Sequence, residues 1–160
     1  MWFAASSRND RQTPSWNLRS AWLRWKATAR DLERGGDVLV LDTSFLIEYE
    51  REIAGRRIGL ARNFLRGFPR ERPATSIIAV GEFAEGFADR RQLEVFLANF
   101  AVLQLSREIA WRMATLQGHV AQRLGENDAW IAATALAYSA TLVGREASFR
   151  RVPRLKYEEF

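Results

Sequence analysis

The stretch VLVLDTSFLIEYE, residues 38–50, places a carboxylate directly after four apolar residues. An apolar run of this kind is typical of a strand that is buried on both faces of a parallel sheet, and a helical pattern follows it. Asp42, at the junction, has two interpretations. Aspartate is a favoured helix N-cap, and a polar group at a strand end also faces the place where ligands bind in open α/β sheets. The stretch alone leaves both open.

The composition limits the chemistry that this chain can perform. Its 160 residues are enough for one domain with a hydrophobic core, and they include no cysteine and a single histidine, His119. Disulfides, thiolate nucleophiles, cysteine zinc sites and paired-imidazole catalysis are therefore excluded. We expect His119 to be structural, lying in the middle of a helix. Polar catalysis in this chain must come mainly from carboxylates.

The charge and hydropathy of the sequence indicate an anionic partner and a cytoplasmic location. The formal net charge is +5, and arginine greatly outnumbers lysine. Because the guanidinium group fits phosphate well, nucleic acid is the favoured partner, although a GC-rich genome explains an arginine excess equally well. No apolar run approaches the roughly 20 residues of a membrane span, and the start of the chain lacks the pattern of a signal peptide.

Residues 1–36 differ from the rest, and we expect them to form an N-terminal extension. A polar, irregular beginning predicts disorder, and a basic amphipathic helix follows it and ends at Gly35–Gly36. An alternative hypothesis is that translation starts at Val38 or Val40, since codons for Gly-Gly-Asp can form a ribosome-binding site. A native mass near 18.4 kDa would exclude that start. Residues 37–160 are predicted to form the globular domain.

Strands and helices alternate through residues 37–160, which predicts an α/β sandwich with a mainly parallel sheet of four to five strands. Helical patterns separate the strands, among them GEFAEGF directly after the second strand and a long helix over residues 106–125. Gly125 is predicted to end that long helix, and Asn127 to cap the next one. The predicted strands are DVLVLD, TSIIAV, AVLQL, TLV and the short segment LKY.

Four acids lie near the ends of predicted strands or in the helix turns beside them: Asp42, Glu82, Asp128 and Glu146. Each alone is explained by the favourable interaction of an acid with a helix N-terminus. Together they would repel one another unless a cation neutralised them. An all-oxygen ligand set suits Mg²⁺ or Mn²⁺. In a basic protein, such a site suggests metal-assisted hydrolysis of a phosphodiester.

Four segments carry a resemblance to a known family: LDTSFLIEYER (41–51), SIIAVGEFAEG (76–86), NDAWIAATALA (127–137) and TLVGREASFRRVPRLKY (141–157). In sequence and spacing they resemble PIN-domain proteins, and more narrowly VapC-type toxin ribonucleases of bacterial toxin–antitoxin pairs. The last segment departs from the family pattern at three positions. Gly144 replaces the usual Thr, Glu146 is longer than the usual Asp, and Ser148 replaces a frequent Asp or His.

The resemblance implies an endoribonuclease that depends on Mg²⁺ or Mn²⁺, forms homodimers and is inhibited by a small antitoxin protein. The metal and catalytic residues would be Asp42, Glu82 and Asp128, with Glu146 acting through water or on a second ion. Ser44 would lie close to the metal and the RNA. The arginines predicted to hold the RNA backbone are Arg145 and Arg150, together with Arg90, Arg91 and Arg151.

Three alternatives remain open on sequence alone. A catalytically weak PIN-like module that binds RNA is compatible with the altered segment around Glu146. A phosphatase of the haloacid dehalogenase type would need a second Asp where Ser44 stands. A basic interaction protein without chemistry leaves the four acids unexplained. Among the other side chains, we expect Trp111 and Trp130 to lie in the core or at a dimer contact, and Glu85 to be a surface acid.

Overall fold

The sheet of this domain is fully parallel, and its most buried strand is central. The computed structural model describes residues 37–160, so the predicted extension 1–36 lies outside the described residues. The strand order is β3-β2-β1-β4-β5, which confirms the predicted sheet. All four residues of β1 are buried, and Leu41 pairs with Thr75 and Val143 on either side. The strands are β1 (Val38–Leu41), β2 (Arg72–Ser76), β3 (Ala101–Leu103), β4 (Thr141–Gly144) and β5 (Lys156–Glu159).

Helices connect the strands, and their apolar side chains complete one core. Phe45 and Phe83 are almost fully buried, and the ring of Phe45 packs edge-on against Phe160 with 4.6 Å between the centroids. No helix within residues 37–160 is long and apolar enough to cross a membrane. The helices are α1 (Thr43–Ala54), α2 (Leu60–Gly67), α3 (Ile77–Ala84), α4 (Arg90–Leu97), α5 (Arg107–His119) and α6 (Glu126–Ala137), with a short 3-10 helix at Ala147–Arg151.

The second strand lies earlier in the chain than predicted. The β-branched run TSIIAV suggested a strand, but β2 ends at Ser76 and Ile77 begins α3. The Ser76 hydroxyl accepts a hydrogen bond from the Ala79 amide at 3.0 Å, which caps the helix and turns the chain. As a result, Glu82 lies in the second turn of α3 rather than in its first.

The long predicted helix over 106–125 ends at His119, which is therefore its last residue and not mid-helix. Gln117 is buried and holds the following turn. Its amide nitrogen donates to the Leu124 carbonyl and its oxygen accepts from the Leu124 amide, both at 3.0 Å. Gly125 then occupies the N-cap of α6 instead of ending α5. Gln117 thereby fixes where α6 begins.

Candidate active site

Asp42 lies where β1 meets β4 and α1. Its backbone amide donates to the Val143 carbonyl at 2.9 Å, and the residue is buried, with 6% of its surface exposed. It occupies the N-cap position of α1, but its carboxylate makes no capping hydrogen bond to the helix. Burial raises the pKa of Asp42, against the opposing effect of the nearby Thr43 and Ser44 amides and the Ser44 hydroxyl. The geometry does not support capping as the main role of this carboxylate.

A short hydrogen-bond chain orients the Asp42 carboxylate. The Ser44 hydroxyl donates to Asp42 Oδ2 at 3.0 Å and accepts from the Arg145 amide at 3.1 Å. Gly144 allows this close packing, because a Cβ at that position would lie 3.0 Å from both Cβ and Oδ2 of Asp42. The departure from threonine at this position therefore makes room for the carboxylate. Ser44 positions Asp42 in this structure.

Glu82 reaches the same end of the sheet from α3 and is held by two partners. The Thr43 hydroxyl donates to its Oε2, and the Asn127 side-chain amide donates to its Oε1 at 2.8 Å. Asn127 therefore does not cap α6 as predicted. It lies in the first turn of that helix and reaches across to α3. Together, Thr43 and Asn127 place Glu82 between α1 and α6.

Asp128, also in the first turn of α6, interacts electrostatically with the other three acids. Its pKa is raised to about 6, first by burial and then by the negative charges of Asp42, Glu146 and Glu82. The Ser148 hydroxyl stands near enough to oppose this rise, although it makes no hydrogen bond of normal geometry. The four predicted acids thus come from four separate segments into electrostatic reach of each other.

The fourth acid is the most loosely placed. Glu146 is exposed, and its carboxylate accepts a hydrogen bond from the Ser148 amide at 3.3 Å at the start of the 3-10 helix.

Two buried hydroxyls near the acids, those of Ser148 and Tyr157, have no hydrogen-bond partner. Burial raises the pKa of Tyr157 to about 12, with further contributions from Glu159 and Asp42. Buried hydroxyls without partners favour an additional bound group or water here.

The donor chemistry at this place fits a hard divalent cation, but the carboxylates do not converge on one point. No group of three acidic or histidine side chains within the described part of the chain is arranged to hold a metal ion. Without a cation, the like charges of these carboxylates repel one another, as the raised pKa of Asp128 reflects. Glu82 and Glu146 instead bind neighbouring donors. The site therefore has the ligand types and the neighbourhood for Mg²⁺ without a closed ligand shell.

Four of the five predicted RNA-binding arginines have partners within the protein. Arg145 stacks over the Phe160 ring at 4.2 Å and lies 3.9 Å from Glu48. Arg150 pairs with Glu159 at 2.6 Å. Arg151 donates a hydrogen bond to Gln122, and Arg90 pairs with Glu94 at 3.3 Å, while Arg91 is exposed at the start of α4.

Several residues around the acids were not predicted from the sequence to support the site. Thr43 and Asn127 support Glu82, and Tyr157 brings a buried hydroxyl from β5. Their side chains come from three different elements, and no local motif marks their contact with an acid. Trp111 was predicted to be in the core or at a dimer contact. It is 72% exposed, so the core assignment is wrong.

Comparisons with known proteins agree with this architecture. The family model for the PIN domain matches residues 39–155. The structure of VapBC2 from Rickettsia felis bound to a DNA fragment from its promoter has 22% identity, covers 77% of this chain and 98% of that chain, and has a TM-score of 0.65. A toxin–antitoxin complex from Klebsiella pneumoniae has 26% identity, coverage of 74% and 95%, and a TM-score of 0.58.

VapBC-5 from Mycobacterium tuberculosis has 23% identity to the chain, covers 77% of it and 97% of that structure's chain, and has a TM-score of 0.53. No curated protein sequence matches the chain. The solved structures share the fold of residues 37–160, and the family model spans most of that range. The chain belongs to the PIN domain family.

Proposed function

We propose that this protein is a divalent-metal-dependent endoribonuclease and the toxin of a VapBC-type toxin–antitoxin pair. One observation carries the proposal. Carboxylates from α3, α6 and the ends of β1 and β4 lie within electrostatic reach of one another at the carboxyl end of the sheet. Burial first, and then the charges of the other three acids, raise the pKa of Asp128 to about 6. Gathering four acids in this way destabilises a fold, and a bound cation offsets the repulsion. The PIN family match is consistent with nuclease chemistry.

Asp42, Glu82 and Asp128 would hold Mg²⁺, or Mn²⁺ in its place, with Glu146 contributing through water or to a second ion. A bound ion of this type supplies a more acidic water and offsets the charge that builds on the phosphate. Ser44 and the Arg145 amide fix the orientation of Asp42. Thr43 and Asn127 fix that of Glu82, so two of the proposed ligands are preorganised by the fold.

The basic surface supports a polyanionic substrate, which would be met in the cytoplasm. Arg145 and Arg150 lie next to Glu146 on the segment after β4, where their positive charge offsets that of nearby acids. Arg145 is held over Phe160 and beside Glu48, so its guanidinium group is preorganised to bind a backbone phosphate. RNA is proposed as the substrate because the segments that hold the acids resemble VapC-type ribonucleases.

The proposed partners are a small VapB-type antitoxin and a second copy of this chain. The Klebsiella pneumoniae relative, at 26% identity over 95% of its chain, is a toxin–antitoxin complex. An antitoxin could inhibit the site by presenting an arginine to the acids, since arginine binds carboxylates in a bidentate way. Co-expression with the product of a neighbouring small gene, followed by co-purification and a cleavage assay, tests this partner.

The decisive experiment compares cleavage of a labelled RNA by the wild type, Asp42→Asn and Asp128→Asn with Mg²⁺ and with a chelator. Both variants are expected to lose most of the activity, and Glu85→Gln, an exposed acid one turn from Glu82, is expected to retain it. Binding of Mn²⁺, measured by its paramagnetic signal, provides a readout besides activity. Full activity in Asp42→Asn or in Asp128→Asn would refute the proposal.

A second candidate function is an RNA-binding PIN module with weak catalysis. The exposure of Glu146 and its hydrogen bond to the Ser148 amide favour this alternative. It predicts RNA binding that is unchanged by Mg²⁺ and only weak cleavage at any metal concentration. Glu146→Asp, which restores the more usual acid at this position, would then leave cleavage weak, whereas in an efficient nuclease it would maintain or increase cleavage.

A further inference from the structure

A cleft lies at the opposite end of the sheet from the four acids. It has a volume of about 830 Å³ and is bounded by α5, the end of α6 and the chain that enters β4 and β5. Ser139 and Ala140 directly precede β4, and Lys156 begins β5. In a parallel sheet these positions mark the amino ends of the strands, so the length of the sheet separates the cleft from Asp42. None of the predicted site residues lines it.

The cleft carries positive charge that the protein does not neutralise. Arg112 is paired with Glu108 at 2.8 Å, and these two charges cancel. Arg154 and Lys156 are exposed, and their side chains have no hydrogen-bond or ion-pair partner among residues 37–160. Because no further acid lines the cleft, its net charge favours an anion.

An aromatic face stands beside these cations. Trp111 lies on α5 at the cleft and is the most exposed of the large apolar side chains in the described part of the chain. Leaving an indole ring open to water forgoes the free energy of burial, and such rings are common at binding surfaces. His119, at the end of α5, contacts the Thr115 carbonyl through Nδ1 at 2.7 Å, and its ring also lines the cleft. The cleft thus combines a flat apolar surface with fixed cationic groups.

Two residues at the rim of the cleft have a left-handed backbone conformation. Ser139 and Arg154 have positive φ angles of 52° and 65°, and both line the cleft. Only one other non-glycine residue within 37–160 has a positive φ. The conformation of Ser139 closes the end of α6, where the Ala140 amide donates to the Ala135 carbonyl at 2.9 Å. Arg154 brings a cation to the rim beside it.

We propose that this cleft is a second nucleic-acid site, in which a single-stranded segment stacks one base on Trp111 and sets its phosphates against Arg154 and Lys156. Stacking on an aromatic ring together with cationic contacts to the backbone is the general way in which proteins bind single strands without reading their sequence. The inference goes beyond the proposed nuclease function. Binding at this cleft requires no metal and none of the four acids, so it can be tested separately from cleavage.

The test measures binding of a fluorescein-labelled oligouridylate of about ten nucleotides to the full chain in a chelator, where metal-dependent cleavage is absent. Trp111→Ala is expected to weaken binding about fivefold or more, and Trp111→Phe, which keeps an aromatic face, to weaken it less. Arg154→Ala/Lys156→Ala is expected to lower the slope of log affinity against log salt by about 1.4, since each single-strand phosphate contact contributes about 0.7.

The matched control is Arg66→Ala/Arg70→Ala, which removes two exposed cations near the end of α2, away from the cleft. Its salt slope is expected to change less than that of the cleft variant. An unchanged affinity in Trp111→Ala, or equal slopes in the two double variants, would overturn the proposal. A competition experiment with polyglutamate gives a further test. If polyglutamate displaces RNA equally well from the wild type and from Trp111→Ala, the site recognises charge alone and the proposal is wrong.

Sedimentation of the same variants tests a second copy of the chain as the occupant. If the cleft binds nucleic acid, Trp111→Ala has the oligomeric state of the wild type and a reduced RNA affinity. If Trp111→Ala dissociates an oligomer while the RNA affinity stays the same, the cleft is a contact between copies and the proposal is wrong. Circular dichroism of each variant confirms folding, which the exposure of Trp111 leads us to expect.

Discussion

Replacing Asp128 by Asn should stabilise the fold at neutral pH, although it should abolish the proposed activity. In the folded protein the pKa of Asp128 rises from 3.8 to about 6, owing first to burial and then to the charges of Asp42, Glu146 and Glu82. A rise of this size corresponds to about 3 kcal/mol of destabilisation of the ionised form. Because Asp128 is partly exposed, solvent screening reduces this figure, and we expect about 1 kcal/mol.

The sign of the pH dependence follows from proton binding. Between pH 3.8 and about 6 the folded protein binds the Asp128 proton more tightly than the unfolded chain does. The contribution of Asp128 to stability is therefore present below pH 3.8 and is lost as the pH rises through about 6. Asp128→Asn removes this dependence, so its advantage over the wild type should be largest at about pH 8 and vanish at about pH 4.

Urea unfolding of both proteins in a chelator, at several pH values, measures the difference in free energy of unfolding. The control is Glu126→Gln, which removes an exposed acid from the same first turn of α6. It should be slightly less stable than the wild type, because it loses only the interaction with the helix N-terminus. The reasoning is refuted if Asp128→Asn is less stable than the wild type at about pH 8, or if the two differ equally at every pH.

Three further substitutions test how the fold positions the site. Gly144→Ala should lower the free energy of unfolding by about 1–3 kcal/mol, because its Cβ would lie 3.0 Å from the Asp42 carboxylate. It should also reduce RNA cleavage by more than this loss of stability explains. Unfolding and cleavage assays measure the two effects. Gln117→Ala should cost about 2–4 kcal/mol in urea unfolding, since both backbone groups of Leu124 lose their partner. Glu52→Gln should cost about 1–3 kcal/mol in thermal or urea unfolding, because this fully buried carboxylate accepts two amides at the start of α2.

Each of these substitutions has a matched control of the same chemistry. Gly118→Ala adds a Cβ with no atom within 4 Å and should be neutral or stabilising within α5. Gln104→Ala and Glu158→Gln change exposed side chains and should alter the free energy of unfolding by less than about 0.5 kcal/mol. If a control is destabilised as much as its test variant, the loss does not come from the contact named.

Local pattern was enough to predict the strand at Val38–Leu41, because four apolar residues before a polar turn fit only a buried strand here. It failed at Ile77–Val80, where the same β-branched composition forms the first turns of α3. The hydroxyl cap of Ser76 and the pairing of the preceding residues with β1 override the intrinsic strand preference. It also failed at Asn127, whose side chain binds Glu82 across 45 residues of sequence.

The sequence by itself determined the parallel α/β architecture and the positions of the four acids along the chain, because periodicity and residue type are local properties. Only the tertiary structure decided how those acids are held. Asp42 depends on Ser44 and on the space left by Gly144, and Glu82 depends on Thr43 and Asn127. These contacts join segments that are distant in the chain, and their geometry follows from the register of β1 with β4 and the packing of α3 beside α6.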